Sequence, residues 1–326
     1  TTTSTAGNVV MLGKGVDGLL VAGAVTVGSV GKVRSLTITG TATSGDGITT
    51  TGALRATGAL TLTGYTATGT NGIDVGSTLA STVAGDVILS GKSGGTFASV
   101  YTTGVNLANT LTVAAGNLTI QGSSLVGGIA TPLPGSSATG SRYGFSSAAA
   151  GDITVSGNIS LAGTSVTFMG GYLLGDVLST DGNVALTGAG LYAMSLSGPV
   201  TAGTGVNPRT LTITTTGSNG YGLTTAAAAA LSATGSIALT SYATIGASGI
   251  SIAAPIRSTL RGDVVISSYA GGVAGENAFT LGAALSAASG GITLQGSALV
   301  GGVATAAPGT AMTSRQGAGF TSTSVG

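Results

Sequence analysis

The chain nearly repeats itself once, at an offset of about 175 residues, and this constrains the fold more than any single residue does. Gly7-Asn8-Val9 realigns with Gly182-Asn183-Val184, Leu36-Thr37-Ile38-Thr39 with Leu211-Thr212-Ile213-Thr214, and Gly85-Asp86-Val87 with Gly262-Asp263-Val264. The clearest match is Leu118-Thr119-Ile120-Gln121-Gly122-Ser123 with Leu125-Val126-Gly127-Gly128, which returns as Ile292-Thr293-Leu294-Gln295-Gly296-Ser297 with Leu299-Val300-Gly301-Gly302. The offset stays between 174 and 177, so whole units were duplicated with small loop adjustments. Residues 152–326 form one full period, and residues 1–151 form a period lacking its first two dozen residues. This is the layout expected of a window on a longer tandem array, as in a fibre.

Inside each long period lies a shorter one. Segments that read apolar, then Thr or Ser, then apolar recur and are usually closed by Gly: Val9-Val10-Met11, Leu36-Thr37-Ile38, Leu60-Thr61-Leu62, Val87-Ile88-Leu89, Leu118-Thr119-Ile120 and Ile153-Thr154-Val155. The second unit answers with Val184-Ala185-Leu186, Leu211-Thr212-Ile213, Ile237-Ala238-Leu239, Val264-Val265-Ile266 and Ile292-Thr293-Leu294. Alternation over so few residues means short strands with one buried face. Most lie 24 to 35 residues apart, with weaker candidates such as Ile73-Asp74-Val75 and Ile250-Ser251-Ile252 between them. That spacing suits one coil of a β-solenoid, whose rungs are short strands joined by turns.

The turn residues agree. Gly-Asp or Gly-Asn precedes strands at Gly7-Asn8, Gly85-Asp86, Gly116-Asn117, Gly151-Asp152, Gly182-Asn183 and Gly262-Asp263. Gly permits positive φ, and the Asx side chain can bond nearby backbone amides. Stacked in register, such corners would align carboxamides and carboxylates along one edge. Only six Pro occur, so few ladder donors are missing.

Sixty Gly, no Trp, Cys or His, and 4% aromatic residues describe a lattice of small side chains rather than an ordinary globular core. A β-sandwich would want a bulky core and strands every 8–12 residues or so. We therefore expect an all-β, right-handed parallel β-helix built from two tandem super-repeats of about 175 residues, one over 1–151 and one over 152–326. Right-handed winding is the rule for parallel crossovers. A mean hydropathy of +0.54 with 6% charge excludes a polyelectrolyte-like disordered chain. A net charge of +1 with scattered Lys and Arg gives no footprint for nucleic acid. The 47 uncharged residues between Arg209 and Arg257 are broken throughout by Gly, Ser and Thr, so no membrane span is expected.

The pattern Gly-[Asp/Asn]-[Val/Ile/Leu]-x-[Leu/Ile/Val]-[Ser/Thr]-Gly, at Gly85 to Gly91, Gly151 to Gly157 and Gly182 to Gly188, resembles the rungs of filamentous-haemagglutinin-like exoproteins and autotransporter passengers. The resemblance spans nearly the whole chain. It implies a secreted bacterial adhesin or fibre held at the cell surface, with a right-handed β-helical shaft. The very low charge and the 175-residue super-repeat depart from that family. Absence of Cys fits an exported protein.

Catalysis has little to stand on. Without His or Cys, the Ser-His and Cys-His pairs and the common metal clusters are missing, and the nine acidic residues spread over 260 positions. A polysaccharide-cleaving β-helix would group its carboxylates with Arg or Lys. Asp46, Asp86, Asp152 and Asp263 read as turn residues, and no cofactor is expected. Calcium would require neighbouring turns to pool ligands, since single-Asp turns offer too few oxygens. Arg261-Gly262-Asp263 matches an integrin-binding tripeptide, yet the other unit carries Ala84-Gly85-Asp86 at the same place, which the turn alone explains. Thr-x-Thr pairs at Thr37/Thr39, Thr61/Thr63, Thr66/Thr68 and Thr212/Thr214 resemble the threonine ranks of ice-binding β-helices, an alternative reading alongside polysaccharide binding or cleavage.

Residues 123–151 and 297–326 are the least regular stretches and mirror each other, with Ser141-Arg142, Gly144 and Phe145 answering Ser314-Arg315, Gly317 and Phe320. They read as long loops that could serve as inter-unit arms, with Arg142, Phe145, Arg315 and Phe320 as contacts. The sequence thus predicts a self-associating structural segment of an extracellular bacterial filament or fibrous adhesin, touching a host or neighbouring cell surface, without chemistry of its own.

Overall fold

A computed structural model describes residues 1–94, 101–124, 141–244, 248–272, 277–300 and 321–322. The described residues form strands and turns and no helix. Three parallel sheets of eleven strands each run the length of a β-solenoid, and every strand pairs with the strand three further along the chain. Each rung passes from a short face to a long face to a third face. The first rung comprises Thr2–Ser4, Val9–Gly15 and Leu19–Val21, and the last comprises Leu285–Ala287, Ile292–Val300 and Thr321–Ser322.

The long face stacks Val9–Gly15, Leu36–Ala42, Leu60–Thr66, Val87–Ser93, Leu118–Ser124, Ile159–Ser165, Val184–Gly190, Leu211–Gly217, Ile237–Ala243, Val264–Gly272 and Ile292–Val300. Period-two alternation turns every other side chain inward, and parallel register puts like on like: Leu89 pairs with Ile120 and Ile120 with Leu161. One apolar core runs from Val21 to Leu281 and passes through residues 151 and 152 without a break. Consistent with the predicted phase, Leu36, Ile38, Val87, Leu89, Leu118, Ile120, Leu211, Ile213, Val264 and Ile266 are buried. Ile292 and Leu294 continue the same inward columns, paired with Val264 and Ile266, and on the last described rung they are 45% and 37% exposed.

The super-repeat has a simple structural meaning. Val9 starts the first long-face strand and Val184 the seventh, so one period is six rungs, or about 29 Å at about 4.8 Å per rung. The two dozen residues missing from the first period correspond to one rung, made of Ile153–Val155, Ile159–Ser165 and Met169–Leu173. Ile153-Thr154-Val155 therefore belongs to the short face, and the long-face strand of that rung follows Gly157-Asn158 instead. The same Gly-Asx turn serves two different corners, which the sequence pattern does not distinguish.

At the corner entering the long face, the predicted Asx stack is present. Asp86 Oδ1 accepts the backbone N–H of Asn117 (2.8 Å), Asn117 Oδ1 that of Asn158 (2.9 Å), Asn158 Oδ1 that of Asn183 (2.9 Å) and Asn183 Oδ1 that of Thr210 (2.8 Å). Gly85, Gly116, Gly262 and Gly290 precede this corner with φ between 131° and 146°, a conformation that favours Gly.

At the corner leaving the long face, two glycine columns interlock. A Cβ added to Gly40, Gly64, Gly91, Gly122 or Gly163 would land on the carbonyl oxygen of Gly47, Gly72, Gly104, Gly144 or Gly170 respectively, well inside contact distance. Further along the same column, Ser241 and Ser268 replace Gly and donate their hydroxyls to the facing carbonyls of Gly249 (2.7 Å) and Ala278. Much of the glycine content is thus a requirement of close backbone approach.

Candidate functional site

Arg142 and Phe145 do not sit on an arm. Both lie in the third-face strand Ser141–Ser147 and both are fully buried, so the loop placement is corrected, while Phe145 meets the second unit inside the core through its pairing with Gly171. Phe145 fills the core column above Gly171, where an added Cβ would lie 3.1 Å from Phe145 Cε1 and 3.2 Å from Met194 Cε. The missing side chain of Gly171 makes room for two large neighbours. Burial pushes the Arg142 guanidinium below its ordinary range. Arg315 and Phe320 lie outside the described residues, as do 125–140 and 301–320 of the two predicted loops.

Asp46, Asp86, Asp152 and Asp263, read from the sequence as turn residues, are spent on corners. Asp263 Oδ1 accepts the backbone N–H of Gly291 (2.7 Å), so the Arg-Gly-Asp carboxylate occupies the same position as Asp86. Asp152 Oδ1 accepts the N–H of Asp176 at the other corner (2.9 Å), and Asp46 accepts from Thr70, Asn71 and Thr49. Among the described residues, no three acidic side chains converge as a metal site.

The threonine pairs behave in two ways. Thr37/Thr39 stack directly on Thr61/Thr63 on the outer side of the long face, but the next rungs carry Ile88/Ser90 and Thr119/Gln121, so the rank stops after two rungs. Thr66 is buried and donates to the Gly45 carbonyl (2.6 Å), which removes Thr66/Thr68 from any surface rank.

The outer side of the third face carries a polar column and an aromatic patch side by side. Register aligns Asp74, Asn106, Ser146, Tyr172 and Ser195 in one column over five rungs, continued by Thr224 and Ser251. Asn106 Nδ2 donates to Asp74 Oδ1 (2.8 Å), and Ser146 Oγ donates to Asn106 Oδ1 (2.9 Å). Beside this column lie Tyr143, Phe168 and Tyr192, each partly exposed. Tyr143 stacks on Tyr172 with centroids 5.4 Å apart, and Phe168 meets Tyr143 and Tyr192 edge-on at 5.5 Å each. Four of the chain's thirteen aromatic residues (eight Tyr, five Phe) therefore occupy one patch. Sequence reading misses it because the alternation changes phase at the corner glycine: Tyr143 faces out while Phe145, two residues on, faces in.

Asp74 is half-buried, and burial holds its carboxyl above the usual carboxylate range; the Asn106 hydrogen bond works against this and the Asp46 charge adds to it. A folded pKa raised above the unfolded one penalises the ionised form in the fold, and the penalty vanishes as pH falls through the carboxylate range. Asp74→Asn keeps an acceptor for Asn106 and removes the charge. It is expected to melt above wild type at neutral pH, with the gap closing toward about pH 4, where a carboxyl protonates in both states. A gap that widens on acidification would contradict this assignment.

No protein-family model, curated protein or solved structure matches the chain.

Proposed function

We propose that the chain is a rigid segment of an extracellular bacterial filament or fibrous adhesin, self-associating and acting through shape and surface rather than turnover. One observation carries this reading: three unbroken eleven-strand ladders enclose a single core, and the sequence period equals six whole rungs. Adding a period lengthens such a shaft without changing its cross-section. A chain with net charge +1 offers little repulsion between such shafts. The Gly-Asx rung pattern and its resemblance to filamentous-haemagglutinin-like exoproteins favour a cell-surface setting.

Electron microscopy and sedimentation of the purified chain across a dilution series test the proposal. The eleven described rungs span ten intervals, so rods of at least about 50 Å per chain are expected, joining into longer filaments as concentration rises. A chain that stays a single short particle at all micromolar concentrations would count against the fibre.

A further inference from the structure

The outer side of the third face has a chemistry that a shaft does not require. We propose that Tyr172, Phe168 and the Asn106–Ser146–Ser195 column form a binding platform for a neutral polysaccharide strand. A pyranose ring presents apolar C–H faces and a rim of hydroxyls, so it needs a flat aromatic surface flanked by small donors and acceptors. The patch supplies both: stacked and edge-on rings over three consecutive rungs, and an amide and hydroxyls aligned in register beside them.

Order within the column favours one direction of contact. The hydrogen-bonded run from Asp74 through Asn106 to Ser146 fixes the amide and hydroxyl before any ligand arrives, which lowers the ordering cost of binding. Tyr192 is backed by the next rung, since a Cβ on Gly220 would reach its ring carbons at 2.5 Å. Rungs repeat at about 4.8 Å, close to the length of one sugar unit, so successive rungs can meet successive residues of an extended glycan.

Charge selects the class of partner. Among the described strands of this face, Asp74 is the single charged residue pointing outward; the other outward positions of that column and its continuation are amides, hydroxyls, Tyr172 and, at the first rung, Leu20. Nucleic acid or an anionic membrane would need cations there. An acidic glycan would meet a carboxylate and no counter-charge.

The test uses the full chain with linear neutral hexasaccharides, β-1,4-linked glucose and xylose oligomers, and with an oligogalacturonate as the acidic control. Titration calorimetry gives the affinity, and because the chain has no Trp its emission comes from eight Tyr, three of them in the patch, so the emission change on binding is compared between wild type and Tyr172→Ala. We expect a neutral oligomer to bind and the acidic one not to. Tyr172→Ala and Phe168→Ala should each weaken binding at least tenfold, Tyr172→Phe should retain it within a few-fold, and Tyr242→Ala on the long face should leave it unchanged. Circular dichroism melts confirm that each variant is folded. If neither neutral oligomer binds, or if Tyr172→Ala and Phe168→Ala bind like wild type, the platform is refuted. It is equally refuted if Tyr172→Ala abolishes only side-by-side pairing of chains in sedimentation, which would assign the patch to a second copy. Filament growth is independent of these outcomes.

Discussion

Replacing Ile120 by Asp is expected to lower stability by about 3–5 kcal/mol, the cost of an uncompensated charge in a buried site after relaxation. Ile120 is fully buried and stacks between Leu89 and Leu161 in a core that offers no polar partner at those positions. The outward neighbour Thr119, on the same strand, provides the control: Thr119→Asp should change the melting temperature little. Since each rung touches only the rungs next to it, damage should be local before it is global. Amide exchange should accelerate first in Val87–Ser93, Leu118–Ser124 and Ile159–Ser165, while rungs near either end keep their protection. Equal melting of the Ile120→Asp variant and wild type would invert the inside-outside assignment of the whole long face.

The fold class was legible because two features are independent of rung geometry: the alternation that buries Leu36 and Ile38, and the return of the same strands after 175 residues. Gly-Asx corners were legible too, since Asp86, Asn117 and Asn183 carry the side chains that the stack uses. What escaped was the assignment of strands to faces. Gly151-Asp152 and Gly157-Asn158 look alike, yet they turn different corners six residues apart. The long-face spacing also stretches from the usual two dozen or so residues to 41 between Leu118 and Ile159, where residues 125–140 intervene, and no periodicity survives such an insertion. The aromatic patch was hidden for a related reason. Tyr143, Phe168, Tyr172 and Tyr192 are scattered over fifty positions and come together only once rung length and the phase change at Gly144 are known. Phe145 drew notice as an aromatic residue in an irregular stretch, and its burial shows that a strand can resume where composition reads as loop.

Gly122 gives the second large effect, and it separates two explanations of the glycine content. If Gly were present merely to loosen the turns, Gly122→Ala would be harmless or slightly stabilising through the unfolded chain. The geometry says otherwise: an added Cβ would overlap the Gly144 carbonyl oxygen and approach Phe145 Cβ at 2.9 Å, so backbone must move against backbone. Overpacking of that kind costs about 1–3 kcal/mol for flexible neighbours, and more when the obstacle is a paired strand. Gly122→Val should therefore lose at least about 3 kcal/mol. Gly122→Ser should lose less than Gly122→Ala despite its greater bulk, because Ser241 and Ser268 occupy the same column and turn the close approach into a hydrogen bond to the facing carbonyl. Chemical denaturation of the three variants checks the ranking. A rank of Val worst, Ala next and Ser mildest would tie the glycine column to the meeting of two sheets; an Ala variant as stable as wild type would mean that the corner can open without cost.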